Sequence, residues 1–238
     1  MTLPILYIAN VGANSSHRSL SPLYDDGCFD LITIPEQGEL GSACLRYKDL
    51  RWHDPRAVRM ILGRTRWEAA THNDPDLWEG VYGDVPYLSS RAAPLRRARP
   101  GDALLFFARL RPFGGNTFHR DSAFFFVGGW SIHKAIDVKP NIGLRLERRV
   151  NDNPHVRKYL AGSLQRFSLF LSRESPTRLT PPVRMSRSYL RRALPESRFW
   201  NWGDGRTRLQ TIGSYLRTIK AVCSEDHPGL LELLEPAG

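Results

Sequence analysis

Short apolar runs separated by polar, glycine-rich stretches recur along this chain. Residues 5–10, 103–108 (ALLFFA) and 122–127 (SAFFFV) are apolar runs of strand length, and residues 130–138 and 166–171 continue the pattern. Runs of about four to eight apolar residues between turn residues are typical of buried strands. The pattern therefore predicts a first buried strand near the N-terminus and a β-hairpin or meander in the middle of the chain.

Helix signals are fewer and shorter. Asp54 can cap a helix whose first residue is Pro55, and such a helix is expected to end at Gly63. Residues 185–193 predict a short arginine-rich helix, and residues 228–234 predict one or two final helical turns. Short strands with few helices favour an α+β or mainly β fold with one core.

Four further segments complete the prediction. Residues 28–34 alternate enough to predict a second strand, and residues 215–222 fit a strand or a short helix. Residues 80–100 are rich in proline and are predicted to be an extended loop. Residues 176–182 also contain several prolines and are predicted to be a break between elements. Together the pattern predicts an α+β fold with a mixed, mainly antiparallel sheet, short helices and one core, in a single domain over residues 1–238.

Composition agrees with a folded protein and narrows its class. Of the 238 residues, 41% are hydrophobic and 24% are charged, which excludes a mostly disordered chain. No stretch approaches the roughly 18 apolar residues of a membrane span, and the first nine residues fit a strand better than a signal peptide. Three scattered cysteines do not form a disulfide framework or a zinc cage. We therefore expect a reducing, cytoplasmic location and no membrane partner.

The charge indicates the class of partner. The net charge is +10, and 29 of the 34 basic residues are arginine. Arginine binds phosphate and guanine edges through its planar fork and stacks on bases. A basic, arginine-rich chain predicts a nucleic-acid or nucleotide partner. The alternative is an arginine-rich composition shared by the whole proteome.

One candidate site is the segment His72-Asn-Asp-Pro-Asp76. His72, Asp74 and Asp76 could form an acid–base set or converge on a hard cation, although Asp-Pro pairs are also ordinary helix caps. Arg64 and Arg66 lie just upstream and are predicted to bind nucleic acid.

A second group lies in the loop between the two most apolar strands. His119 is a candidate for proton transfer, and Asn116 could read an adenine edge. The alternative is a solvated hairpin turn. The cations predicted to hold phosphate in and near this loop are Arg109, Arg111, Arg120 and Lys134.

Two further residues complete the candidates. Asn14, a further catalytic candidate, lies in the loop after the first strand, where backbone amides and hydroxyls could bind an anion; the alternative is an ordinary capped turn. Trp130 could stack on a base, whereas the phenylalanines of residues 106–107 and 124–126 are predicted to be core. The residues alone assign no metal ion and leave the cofactor unknown.

The order of several motifs resembles the nucleotide modification associated domain family, third type. Each motif is weak alone, and their order over most of the chain carries the resemblance. The resemblance implies an α+β domain of a DNA base-modification or phage-related system. His72, Asp74 and Asp76 fit the family pattern, whereas Asn14 stands where relatives more often have an acidic residue. The motifs are residues 9–16, 21–27, 31–35, 45–50, 72–77, 101–107 and 126–130.

The resemblance and the charge together predict a nucleic-acid-associated protein that processes or recognises a modified base. In an enzyme, His72 or His119 would move protons, and Asp74 or Asp76 would orient water, substrate or a metal ion. A reader module without chemistry and an enzyme acting on small nucleotides are the alternatives. Gly101-Asp102 before an aromatic strand is also similar to PUA-like base-binding barrels, which makes a partial PUA-like barrel an alternative fold.

Overall fold

The computed structural model of the chain describes residues 3–12, 20–36, 44–140, 147–173, 176–194 and 205–235. Twelve strands and five α-helices run through these segments. The strands are β1 (Ile5–Asn10), β2 (Ser21–Tyr24), β3 (Ile34–Pro35), β4 (Thr71–His72), β5 (Val81–Asp84), β6 (Ala103–Gly114), β7 (Thr117–Phe118), β8 (Ala123–Ser131), β9 (Lys134–Val138), β10 (Phe167–Leu171), β11 (Thr177–Arg184) and β12 (Lys220–Cys223). The helices are α1 (Pro55–Trp67), α2 (Pro154–Leu160), α3 (Arg187–Ala193), α4 (Arg208–Tyr215) and α5 (Pro228–Leu231).

The main sheet is built around β6. Its strand order is β11-β8-β6-β1-β12, and β2 and β7 also pair with β6. β1 and β2 run parallel to β6, and the other pairs of this sheet are antiparallel. A second sheet has the order β5-β10-β9, and β3 pairs with β4. This mixed, mainly antiparallel arrangement confirms the predicted α+β class, and the strands described here form open sheets and no closed barrel.

Side-chain alternation along β6 builds a core on both faces of the main sheet, as the period of two in a strand requires. Phe106 is fully buried and packs on Tyr82 and Trp130, with ring centroids 5.2 and 4.9 Å away. Phe107 lies on the other face against Phe124, at 5.5 Å, in a layer covered by α3, α4 and α5. The phenylalanines predicted to be core are therefore confirmed as core.

The sequence predicts the apolar strands in the right places. It does not correctly predict the strands in segments that contain proline. Residues 5–10 form β1 as expected. The predicted strand over 28–34 is wrong, because most of this segment carries no strand and the pairing lies earlier, in Ser21–Tyr24. The predicted break over 176–182 is also wrong, because Thr177–Arg184 is an edge strand whose register shifts between Arg178 and Val183. An edge strand tolerates prolines that a central strand would not.

Other boundaries differ for local reasons. The helix predicted to end at Gly63 does break there, because Gly63 has a non-helical φ of 71° and ψ of 167°, and a second helical stretch then continues α1 to Trp67. Residues 80–100 contain β5, and residues 215–222 hold the end of α4 and the start of β12. Within the described residues, no helix is both long and apolar enough to cross a membrane. A single domain over residues 1–238 stays a prediction.

Candidate functional site

A pocket of about 380 Å³ lies beyond the carboxyl end of β1, and we call it the Asp74 pocket. Its volume falls within the range of small-molecule sites, about 300–1,000 Å³. Residues from β1, β4, β5 and α2 and from the turn after β4 meet there. Its polar and charged lining includes Asn10, His72, Asp74, Asp84, His155 and Lys158.

Asp74 is the buried centre of this pocket, with a side chain only 1% exposed. Its oxygens accept hydrogen bonds from the Gly83 backbone N–H at 2.9 and 3.0 Å and from Asn153 Nδ2 at 3.1 Å. His155 Nδ1 lies 3.0 Å from Asp74 Oδ2. Burial raises the pKa of Asp74, although these hydrogen bonds and the two nearby histidines favour its charged form.

The start of α2 places His155 beside Asp74. Asn153 caps the helix by accepting the His155 N–H at 3.0 Å, and Pro154 occupies the first helical position. The same Asn153 side chain donates to Asp74, so the helix cap and the site share one residue. Gly83 faces this group so closely that a Cβ there would lie 2.8 Å from His155 Nδ1 and from Asn153 Oδ1. The tight packing therefore requires glycine at position 83.

His72 enters the pocket from β4 and is held by a carboxylate. Its Nδ1 lies 2.9 Å from Glu36 Oε2, and Lys158 Nζ lies 2.9 Å from Glu36 Oε1. The His72 and His155 rings meet edge to face, with centroids 4.9 Å apart and planes at 82°. The site thus brings two imidazoles together beside one buried carboxylate.

The Glu36 ion pairs predict a pH dependence of stability. Burial alone would raise the pKa of Glu36, but its bonds to His72 and Lys158 lower it from 4.5 to about 2. A carboxyl group with a depressed folded pKa stabilises the fold above its unfolded pKa, and the contribution is lost as the pH falls through the folded pKa. We expect Glu36→Gln to lose up to about 3 kcal/mol of unfolding free energy at neutral pH.

Urea unfolding at several pH values checks this prediction. The difference between the wild type and Glu36→Gln should shrink as the pH falls from 4.5 towards 2, the range set by the two pKa values. A difference that stays constant with pH would show that Glu36 acts only through packing.

Asp76, although predicted beside Asp74, lies outside the Asp74 pocket. Its Oδ1 accepts the N–H groups of Trp78 and Glu79 at 2.9 and 3.1 Å, so it caps a turn. It lines a separate pocket of about 210 Å³ with Trp78 and Arg178. Asn14 lies outside the described residues.

The hairpin candidates do not join the Asp74 pocket. The nitrogen His119 Nε2 lies 2.7 Å from the carbonyl oxygen of Gly114 across the β6–β7 turn. Asn116 and Arg120 adopt positive φ values of 65° and 52°, as tight-turn residues do. Arg111 lies over the Phe118 ring and donates from Nε to the Arg120 carbonyl oxygen. These residues build the hairpin itself.

The remaining candidates are spread over other parts of the molecule. Trp130 is only 4% exposed and packs on Phe106, so its ring faces the core rather than a ligand. Lys134 pairs with Glu147. Arg64 and Arg66 lie in the last turn of α1 and do not line the Asp74 pocket.

Arg109 lines a basic pocket of about 410 Å³ with Arg184 and Arg208, and we call it the arginine pocket. Arg109 Nε donates to Ser122 Oγ at 2.7 Å, and burial together with Arg111 lowers the Arg109 pKa. Among the described residues none of the three guanidinium groups forms an ion pair. This pocket lies on the face of the main sheet covered by α3–α5, opposite the face that carries Tyr82 of the Asp74 pocket.

Sequence reasoning missed Glu36, Asn153 and His155. Asn153-Pro154 carries the signal of a helix start, which would have placed His155 in the first turn of a helix. Nothing local to that motif shows that the helix docks on Asp74, because 81 positions separate Asp74 from His155.

Comparison with known proteins gives one match. No curated protein and no solved structure matches the chain. The family model described as nucleotide modification associated domain 3 matches residues 6–198, a span that includes every residue lining the Asp74 pocket. The chain belongs to the nucleotide modification associated domain 3 family.

Proposed function

We propose that this chain is an enzyme of a nucleotide-modification system and that it acts on a base or nucleotide held in the Asp74 pocket. The observation that carries the proposal is the meeting of His72 and Asp74, from one chain segment, with His155, from a distant one, at one pocket. A buried carboxylate beside imidazoles is a group suited to proton transfer or to metal binding. A module that only reads a base would not need it.

The lining of the pocket fits a heterocycle with polar edges. Val11, Ile34 and Leu164 contribute apolar surface, which suits the faces of a base. Asn10 and Ser89 add hydrogen-bonding groups at the same pocket.

Two cations at this pocket suit a phosphate. Arg91 lines it and donates to the Asn10 carbonyl oxygen at 3.1 Å, and Lys158 lines it while paired with Glu36. Guanidinium and ammonium groups are the usual phosphate partners in proteins. The pocket therefore favours a nucleotide over an uncharged base alone.

A pair of adjacent serines provides a sharp test. Ser89 lines the Asp74 pocket and the neighbouring, exposed Ser90 does not. Ligand-observed NMR would use a panel of nucleosides and 5′-monophosphates with unmodified and 5-substituted pyrimidines. We expect Ser89→Trp to fill the pocket and weaken binding at least about tenfold, and Ser90→Trp to bind as the wild type does. Equal binding by both variants, or no binding by the wild type, would contradict the proposal.

Conversion of the bound ligand separates an enzyme from a reader. His155→Gln keeps a polar group of similar size but cannot shuttle protons as an imidazole does. An enzyme with this substitution would keep its nucleotide and lose conversion, as measured by mass spectrometry of the nucleosides. If the wild type binds nucleotides yet converts none of them in cell extract, the reader module is the better assignment.

The arginine pocket tests whether the substrate is a polymer. Arg109→Gln/Arg184→Gln/Arg208→Gln removes three unpaired charges from it. If DNA binds there, the slope of log K against log salt should fall by up to about 0.9 for each lost phosphate contact. The matched control is Arg56→Gln/Arg59→Gln/Arg97→Gln, which changes the charge equally at exposed positions.

Fluorescence anisotropy with duplex and single-stranded DNA measures both triple variants. A weakened complex for the first variant only would assign the arginine pocket to a nucleic-acid backbone. If both triple variants weaken DNA binding equally, the affinity for DNA depends on the net charge of the protein and not on the arginine pocket. If the wild type binds no DNA even at low salt, an enzyme acting on small nucleotides is the better assignment.

A further inference from the structure

Three side chains at the centre of the Asp74 pocket lie close enough together to hold one metal ion. His72, Asp74 and His155 each offer one nitrogen or oxygen atom, and these atoms lie within 4.8 Å of one another. Bonds from such atoms to zinc are about 2.0–2.2 Å long, so neighbouring ligands of one ion lie roughly 3–3.5 Å apart. The 3.0 Å between His155 Nδ1 and Asp74 Oδ2 fits this separation.

Surrounding residues orient His72 and Asp74 in the way that metal ligands are oriented. The carboxylate of Glu36 lies 2.9 Å from His72 Nδ1. The other ring nitrogen, Nε2, is then the atom whose lone pair can bind a metal ion. Gly83 N–H and Asn153 Nδ2 both donate to Asp74. Carboxylates that hold ligating histidines, and donors that hold ligating carboxylates, are general features of metal sites.

The charge balance at the centre also favours a cation. The side chain of Asp74 is 1% exposed, and no lysine or arginine among the described residues forms an ion pair with it. The ammonium group of Lys158, which lines the same pocket, is bound to Glu36. A buried carboxylate needs a compensating positive charge or a proton.

We infer that His72, Asp74 and His155 together bind one divalent transition-metal ion. Two imidazoles and one carboxylate suit ions such as Fe²⁺ or Zn²⁺, and three protein ligands leave coordination positions open for water or substrate. Those positions would face the Asp74 pocket, so the inference deepens the proposed function and relies on it only for the substrate. Glu36 is then a positioning residue that acts through His72.

A second cluster, formed by Asp26, Cys28 and His53, must be distinguished from this one. The side chains of Asp26 and His53 are 54% and 38% exposed, and Asp26 already accepts hydrogen bonds from the Cys28 N–H and pairs with His53. Exposed ligands compete with water and are less well oriented than those at Asp74. Cys28→Ser/His53→Gln therefore serves as the matched control.

Metal binding is measured on the full chain without any nucleotide. Chelator-treated protein is titrated with Co²⁺, followed by its visible absorption bands, and with Zn²⁺ by calorimetry. We expect one ion per chain, a higher melting temperature with the ion, and an unchanged titration for Cys28→Ser/His53→Gln. His72→Gln and His155→Gln should weaken binding at least about 100-fold, and Glu36→Gln about 10- to 100-fold.

Folding of the variants is checked by circular dichroism and by the melting temperature without metal. His72→Gln is the decisive variant, because this side chain is 24% exposed and its replacement disturbs the core least. The inference is overturned if the wild type binds no ion, if only Cys28→Ser/His53→Gln loses it, or if folded His72→Gln binds as the wild type does. Nucleotide binding and conversion that both persist in those cases would leave the proposed function standing and assign the site to proton transfer.

Discussion

Gly129→Ala is expected to prevent stable folding. Gly129 lies in β8 beside β6, and a Cβ added there would lie 2.1 Å from the Leu104 carbonyl oxygen and 2.7 Å from Leu234 Cδ2. The first contact is with backbone inside a paired strand, which cannot move without breaking the β6–β8 ladder. We expect a loss of at least about 3 kcal/mol of unfolding free energy, measured by urea denaturation, or insoluble protein.

Gly229→Ala is the matched control. Gly229 lies in α5, and a Cβ there has no neighbour within 4 Å. Alanine favours a helix over glycine by up to about 1 kcal/mol, so this variant should be as stable as the wild type or more so. Equal, small effects at positions 129 and 229 would mean that the β6–β8 pair adjusts more easily than its geometry indicates.

Replacement of Asp74 is expected to damage both the fold and the site. Asp74→Ala leaves the Gly83 N–H and Asn153 Nδ2 without their acceptor in a buried place. A buried donor without a partner costs about 1–3 kcal/mol, so we expect a loss of roughly 3 kcal/mol or more in urea unfolding. The same variant should bind no Co²⁺ and convert no nucleotide.

A pair of isosteric variants separates the two effects. Asp74→Asn keeps the size and one acceptor oxygen but loses the charge, so it should fold better than Asp74→Ala and still bind no Co²⁺. Asp76→Asn is the control two positions away, where the side chain caps a turn outside the pocket. We expect Asp76→Asn to keep both metal and nucleotide. Metal binding that survives in Asp74→Asn would remove Asp74 from the ligand set.

The strands of the main sheet could be predicted to the extent that burial dictates their composition. β6 and β8 are buried on both faces in their central parts. Their continuous apolar runs in the sequence predict this burial. β11 lies at the edge and pairs on one side only, so its prolines are tolerated and its pattern is that of a loop. β5 is short and contains Gly83, which the site requires and a strand pattern does not predict.

The candidate site could be predicted only for its contiguous part. His72 and Asp74 stand out as reactive residues in one short motif, and the structure brings both to the same pocket. Asp76 looks equivalent to Asp74 in the sequence, yet its side chain accepts a hydrogen bond from the backbone N–H of Trp78 in the next turn. His155 reaches the pocket because β10, which follows α2, pairs with β5, whose Gly83 faces Asp74. Such long-range strand pairing has no local signature in the sequence.

The distance along the chain between Asp74 and His155 has a practical consequence. An ion held by both residues would tie together segments 81 positions apart and would act as a reversible cross-link in the native state. A ligand that binds only the folded chain raises its stability in proportion to the logarithm of ligand concentration. Chelating buffers would then yield a more protease-sensitive protein, and purification without chelators would preserve the native form.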